Sequence, residues 1–262
     1  MDKESQYIDL INKNLKKYYF DELCLKDYQQ RINDVIERKV AKSIVDRITT
    51  QCPVSDKKIL EVGSGWGGIC VEFSHVGGLV TGIEPDEEEL QISRLLNQIE
   101  CTGVNFIHGY GENLPFTDNS FDIIICNSVI EHVADFSKTI SEMMRVLRPG
   151  GFIYLNTINY LFPYEGHYKI FYPPLLPKFL AKIYLKLRGR NPNFIKNINY
   201  ITTFKIFSEF NKYGVKIDNL GIKKLEKSRL LRGPGFFKRM FRRLLIITKF
   251  YPYIELFIIK AD

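Results

Sequence analysis

The residues best suited to chemistry in this chain lie at positions 59–68, Ile-Leu-Glu-Val-Gly-Ser-Gly-Trp-Gly-Gly. Ile59, Leu60 and Val62 suit a buried strand, and Glu61 sits among them. An unpaired carboxylate is expensive to bury, so Glu61 needs a partner; a ligand carrying a positive amino group would be one. Gly63 and Gly65 then allow a tight turn that offers backbone N–H groups to a ligand. Gly68 would let the next helix pack close to the sheet. The spacing Gly63-x-Gly65-x-x-Gly68 meets the dinucleotide fingerprint, which alone is a weak signal. Glu84 stands 21 residues beyond Gly63, at the predicted tip of a second strand. An acid there suits ribose hydroxyls, because a carboxylate accepts two hydrogen bonds from a vicinal diol. The acids at 86–89 read differently, as the negatively charged start of a helix.

Hydrophobic periodicity supplies the elements that must position these groups. Strands are predicted over 57–62, 79–83, 104–108, 121–126 and 152–157, with helices over 67–75, 86–99 and 135–147 between them. Alternation of this kind gives a parallel sheet with right-handed crossovers. Upstream, residues 3–23 have loosely helical spacing and 27–49 form a stronger predicted helix; both are expected to pack on the core, with a helix over the ligand as the alternative. After residue 157 the pattern breaks into an aromatic, proline-containing stretch over 160–200, read as an insertion or cap with a short helix at 176–187. A helix over 202–213, a strand over 215–225, a basic amphipathic helix over 235–249 and a last strand over 253–259 complete the prediction.

Composition narrows the partners. The net charge of +7 conceals a division: residues 51–151 carry 6 basic and 15 acidic side chains, and residues 152–262 carry 21 and 6. The acidic part suits a cation-bearing ligand, and the basic part an anionic molecule or surface. No run approaches the ~18 apolar residues of a membrane span. No signal peptide is recognised. The five cysteines are scattered, odd in number and never in C-x-x-C spacing, which points to free thiols in the cytoplasm and to no zinc site.

Six short motifs fall in one order: Leu60-Glu-Val-Gly-Ser-Gly-Trp-Gly67, Gly82-Ile-Glu-Pro85, Glu112-Asn-Leu-Pro-Phe116, Asn119-Ser-Phe-Asp122, Ile130-Glu-His-Val133 and Leu147-Arg-Pro-Gly-Gly151. On these the chain resembles the class I S-adenosylmethionine-dependent methyltransferases, in the group that includes ubiquinone and menaquinone biosynthesis enzymes. The resemblance covers about residues 55–158. It implies an α/β, Rossmann-like, doubly wound sheet of seven strands whose last strand is antiparallel, with the insertion after the fifth strand acting as a lid. Residues 1–50 would then be N-terminal helices on the core and 51–262 the methyltransferase domain.

Carried over by position, Gly63, Ser64, Gly65 and Gly68 would hold the methionine part of S-adenosylmethionine. Glu61 would compensate its ammonium, and Glu84, followed by Pro85, would take the ribose hydroxyls. Gly111 and Glu112 would border the adenine, and Asn127 would lie near the sulfonium. Tyr110 stands where the family often has an aspartate, so either Tyr110 stacks on the base or Glu112 supplies the acceptor.

Methyl transfer needs the acceptor close to and collinear with the methyl, away from water. For a hydroxyl acceptor a base would help, with His132 the first candidate and His167 the second. A structural role for His132, capping or packing against the next helix, stays open. His167, Tyr164 and Tyr168 are candidate substrate contacts in the insertion. The expected acceptor is a small molecule, lipid-linked, sugar-containing or phosphorylated, methylated on oxygen or carbon. Peripheral contact with an anionic membrane through 235–249, Arg229 and Arg232 is the further expectation, against a plain solvated helix. The alternatives are an RNA methyltransferase, prompted by the basic part, a nicotinamide-dependent oxidoreductase, and a binding module that keeps only the fold. Glu61 and the Arg-Pro-Gly-Gly element argue against the oxidoreductase. The chain has no Asn/Asp-Pro-Pro-Tyr-like tetrapeptide or Pro-Cys loop for nucleic-acid methylation.

Overall fold

The computed structural model describes residues 2–25, 29–227, 245 and 248–261. Seven strands form one sheet: β1 (Lys58–Val62), β2 (Leu79–Glu84), β3 (Asn105–His108), β4 (Phe121–Asn127), β5 (Leu147–Ile158), β8 (Lys216–Asn219) and β9 (Tyr253–Ile259). Their order is β3-β2-β1-β4-β5-β9-β8, with β9 antiparallel to both neighbours and the first five strands parallel. This is the predicted doubly wound sheet with its antiparallel last strand slotted between the fifth and sixth. The order reverses at β1 and β4, so a crevice opens beyond their carboxyl ends, where Gly63 and Asn127 lie.

Both faces of the sheet are covered, which is why β4 is apolar almost throughout. On one face α3 (Lys39–Thr49), α4 (Gly68–His75) and α5 (Glu87–Ile99) enclose Ile59, Phe73, Ile123 and Ile125. On the other, α6 (Phe136–Val146) and α8 (Thr203–Phe210) pack on Leu60, Ile124 and Leu155. Asp86 caps α5 by accepting from the N–H groups of Glu88 and Glu89, and Asp135 caps α6 by accepting from that of Lys138.

Several predicted elements are corrected. The single helix over 27–49 is two, α2 (Gln29–Ile36) and α3, because Arg38 turns left-handed at φ 52°. The helical stretch at 3–23 is α1 (Lys3–Leu15) continued by a π-helical segment, Lys16–Glu22. The fifth strand starts earlier than the predicted 152, since β5 runs through Arg148–Gly151 with a register shift between Phe121 and Ile123. The strand over 215–225 is the short β8 followed by α9 (Leu220–Lys227). Asn219 Oδ1 accepts from the Ile222 N–H and so starts that helix. The segment after β5 holds a two-stranded hairpin, β6 (Tyr164–Glu165) and β7 (Ile170–Phe171), then α7 (Lys178–Leu187). Its tyrosines Tyr160, Tyr168 and Tyr172 form a separate apolar cluster with Leu23 and Leu25 from the N-terminal segment. Among the described residues no helix is long and apolar enough to cross a membrane. The basic helix over 235–249, with Arg229 and Arg232, lies outside the described residues except for Leu245, Thr248 and Lys249.

Gly68 is not the glycine on which close packing depends. A Cβ there would meet Arg38 and Ala41 at 3.7–3.8 Å, an ordinary contact. Gly67 is that glycine: its φ is +81°, and a Cβ would fall 2.7 Å from Phe106 Cζ and 2.8 Å from Ser93 Cβ. Gly67→Ala is therefore expected to cost about 2–4 kcal/mol, combining overpacking with left-handed strain. Gly68→Ala should be within about 1 kcal/mol of wild type, since alanine is the better helix former. Chemical denaturation of the two variants checks the contrast.

Candidate active site

A cavity of about 630 Å³ opens at the carboxyl ends of β1, β2 and β4. Glu61, Gly63, Ser64, Gly65, Gly68, Glu84, Pro85, Asn127 and His132 all line it. Residues of α1, the π-helical segment and α2, among them Tyr7, Tyr18, Tyr19 and Val35, form the facing wall. The N-terminal helices thus both pack on the core and enclose this cavity.

The turn after β1 is held from β2, with the Gly63 and Ser64 N–H groups both donating to the Ile83 carbonyl, at 2.8 and 3.0 Å. Glu84 Oε2 accepts from the Gly65 N–H at 2.8 Å, and its Oε1 from the Asp86 N–H at 3.0 Å. The carboxylate therefore ties the glycine turn to the start of α5. Asn127 is fixed by Asn156, whose Nδ2 donates to its Oδ1 at 2.9 Å.

Charge is the telling feature. Glu61 is 3% exposed, and its nearest partner is the Cys70 thiol, which donates to Oε2 at 2.9 Å. A thiol is a weak donor and carries no positive charge. Burial pushes the Glu61 carboxyl up to about 8. Glu89, also on the cavity wall, is pushed up to about 8 by burial and by repulsion from Glu84 and Asp86. Burial raises Glu84 as well. Three carboxyls thus face one cavity without an ion-pair partner, while the cations on the same wall are engaged elsewhere, Lys17 with Glu88, Arg38 with Glu72 and Glu100, and Arg31 over the Tyr19 ring. The Ser64 Oγ and Trp66 Nε1, on cavity-lining residues, have no hydrogen-bond partner among the described residues. Acids without an ion-pair partner, orphaned polar atoms and a turn with left-handed glycines at Gly63 and Gly65 together fit a cationic adenosine cofactor.

The structure does not bring every candidate to this cavity. Tyr110 is 56% exposed and stands edge-on to His108. Glu112 Oε1 accepts from the Ala134 and Asp135 N–H groups, so it secures the approach to α6, and Glu112 does not line the cavity. Gly111 fits between Val62 and Thr139, where a Cβ would be 3.0 Å from each. Tyr168 is fully buried, and its hydroxyl donates to the Asn191 carbonyl. Tyr164 is half-buried in the β6–β7 hairpin and does not line the cavity.

His167 also lies off the cavity wall, but its ring centroid is 5.2 Å from that of His132. Its Nδ1 is 2.6 Å from Glu165 Oε1, and Glu165 also accepts from the Tyr160 hydroxyl and the Tyr168 N–H. Burial opposes charge on both members of that pair, yet their mutual hydrogen bond holds Glu165 below and His167 above their ordinary values. His132 opens to the cavity on one side, while the protein around the rest of its ring, with His167 beside it, lowers it to about 4. Glu131, Glu165 and Glu89 were not legible as site residues. Glu131 adjoins His132 in Ile130-Glu-His-Val133, but nothing in the sequence says that His167 returns beside it.

The sheet order, the glycine turn and the position of the cavity define the class I methyltransferase fold. Residues 60–155 match the family described as "Methyltransferase domain". A ubiquinone biosynthesis O-methyltransferase from Saccharophagus degradans is 32% identical over 125 residues, 45% of this chain and 53% of that protein. The chain spans about half the length of the curated relatives it matches. Among solved structures, the YcgJ protein from Bacillus subtilis superposes with TM-score 0.58 at 17% identity, covering 86% of this chain and 99% of that one. An S-adenosylmethionine-dependent methyltransferase from Mesorhizobium loti superposes with TM-score 0.53 at 16% identity, covering 80% and 93%. Residues 60–155 therefore match a methyltransferase domain, and the chain shares its fold with the S-adenosylmethionine-dependent methyltransferase from Mesorhizobium loti.

Proposed function

We propose that the chain transfers a methyl group from S-adenosylmethionine to an oxygen or carbon of a small acceptor. The observation that carries this is a single cavity that joins the glycine turn and three carboxyls without an ion-pair partner to Asn127 and His132 at the end of β4. When bound, the sulfonium supplies an electrophilic methyl group for an in-line displacement. Glu61 would hold the ammonium, the Gly63–Gly65 backbone the carboxylate, and Glu84 the ribose hydroxyls. Asn127, anchored by Asn156, fixes the wall beside the methyl. The aromatic residues of the N-terminal segment keep water from the site. His132, lowered to about 4 and so neutral at pH 7, lines the cavity beside Asn127 and would contact the acceptor there.

The acceptor is lipid-linked, sugar-containing or phosphorylated. Residues 166–208 carry eight basic side chains and no acidic one. Within them α7 leaves Phe179, Leu180, Ile183 and Leu187 exposed, Leu187 by 81%, between Lys178, Lys182 and Lys186. An apolar helical face edged with lysines suits the headgroup layer of an anionic membrane. Similarity to a ubiquinone biosynthesis O-methyltransferase also favours a small-molecule acceptor. Vesicles rich in anionic lipid are expected to sediment the protein at low salt. Phe179→Asp with Leu187→Asp should cut that binding at least tenfold, and wild-type protein left in the supernatant would remove the membrane contact. The function itself is tested with labelled S-adenosylmethionine and an extract of lipids and polar metabolites. A labelled product names the acceptor class, whereas a protein that binds S-adenosylhomocysteine but labels nothing in any extract points to a binding module.

A further inference from the structure

We propose that Glu131, His132 and His167 hold a divalent transition-metal cation at the acceptor end of the cavity. The sequence gives no metal-ligand spacing, because one histidine comes from the turn after β4 and the other from the β6–β7 hairpin, 35 residues later. The fold brings one ligand atom from each of the three side chains within 4.8 Å of the others.

The second observation is an orphaned oxygen. Glu131 is fully buried, and its Oε2 accepts from the Thr157 hydroxyl at 2.9 Å. Its Oε1 is buried too and has no hydrogen-bond partner among the described residues. Leaving a carboxylate oxygen so placed is costly unless something cationic sits against it.

The surrounding bonds have the arrangement of a ligand's outer shell. The buried Glu165 carboxylate accepts a hydrogen bond from His167 Nδ1–H at 2.6 Å, which leaves Nε2 as the nitrogen with a free lone pair. Tyr160 and the Tyr168 N–H lock Glu165 in turn. Two imidazoles and one carboxylate suit Zn²⁺, Co²⁺, Ni²⁺ or Fe²⁺ better than Mg²⁺ or Ca²⁺, which prefer oxygen alone. With metal–ligand bonds of about 2.0–2.1 Å, tetrahedral ligand atoms stand about 3.4 Å apart, so binding draws the three side chains inward.

Three protein ligands leave a coordination position open. Because His132 lines the cavity, that position faces the place of the acceptor. An acceptor hydroxyl bound there would lose its proton to solvent more readily and be held for attack. This role rests on the methyltransferase reading; the binding of the cation does not.

The test uses the full chain, stripped with chelator and titrated with Co²⁺ and then Zn²⁺. The expected result is one equivalent bound, with visible d–d absorption of a low-symmetry nitrogen–oxygen site that Zn²⁺ bleaches. Glu131→Gln, His132→Ala and His167→Ala should each weaken Co²⁺ binding at least 100-fold. Glu165→Gln, which removes no ligand, should weaken it about 10–100-fold. Zn²⁺ should raise the melting temperature of wild type but not of His167→Ala, which shows that the variant folds and lacks the site. Unchanged affinity in the variants, less than one equivalent bound, or a thiolate charge-transfer band from the free cysteines would overturn the proposal. Calorimetry with S-adenosylhomocysteine on the same stripped protein separates the two readings: cofactor binding without a metal site removes the cation alone, and a metal site without cofactor binding removes the methyltransferase reading alone.

Discussion

Gly65→Arg is expected to abolish binding of S-adenosylhomocysteine while leaving the protein folded. Gly65 has φ +51°, and the nearest atom to an added Cβ is Glu89 Oε2 at 3.6 Å. The Cβ therefore fits, and the fold bears only the left-handed strain of about 1–2 kcal/mol, well inside the ~5–15 kcal/mol of a stable domain. The rest of the arginine grows into the cavity. Its guanidinium would pair with Glu84 and Glu89, neutralising two of the carboxyls that a cationic ligand needs while filling its space. A loss of at least 100-fold in affinity by calorimetry, about 2.7 kcal/mol, is expected. Gly65→Ala should lose no more than about tenfold, because it adds the strain without the side chain. Undiminished affinity in Gly65→Arg would place the cofactor somewhere other than this turn.

The contrast between those two variants marks what could be read without coordinates. The turn was legible because backbone chemistry is local: an apolar run, an acid and spaced glycines specify a strand end and a left-handed turn. Glu84 was legible for the same reason, lying at a fixed distance along one βα unit. The sheet followed from alternation, since strands buried on both faces cannot hide their composition. What was not legible depends on long-range packing. Gly67, not Gly68, carries the close approach, because the contact comes from Phe106 on β3 and Ser93 on α5. Glu89 looked like one more acid favouring a helix start, and only the geometry turns it toward the cavity. The sequence places Glu112 only beside the adenine, as border or acceptor, and its Oε1 also holds the N–H groups ahead of α6. The Glu131–His132–His167 cluster needs the hairpin to fold back on the turn after β4, and no periodicity reports that.

Glu61→Gln is expected to make the empty protein more stable at pH 8 and a poorer binder. In the folded chain burial holds Glu61 at about 8, whereas an unfolded glutamate titrates near 4.5. Between those values the folded state keeps a proton that the unfolded state has lost. The native state binds more protons, so stability falls as pH rises, by up to about 1.4 kcal/mol per unit. The accumulated loss by pH 8 is on the order of 3–5 kcal/mol, all absent near pH 4 and below. Glutamine has no proton to lose, so that decline should be removed, and the melting temperature of Glu61→Gln should exceed that of wild type by at least about 5 °C at pH 8 while the two converge toward pH 4. Glu89 adds a decline of the same sign in both proteins and so does not blur the difference. Binding runs the other way. An ammonium beside Glu61 favours the carboxylate, so wild type should release a proton on binding S-adenosylhomocysteine at pH 7 and bind more tightly from pH 5 to 8. Glu61→Gln should release less than wild type and bind at least tenfold more weakly at pH 8. Calorimetry in buffers of different ionisation enthalpy reads that proton count directly. A variant less stable than wild type at pH 8 would show instead that Glu61 is ionised in the empty protein, with the Cys70 thiol as sufficient company.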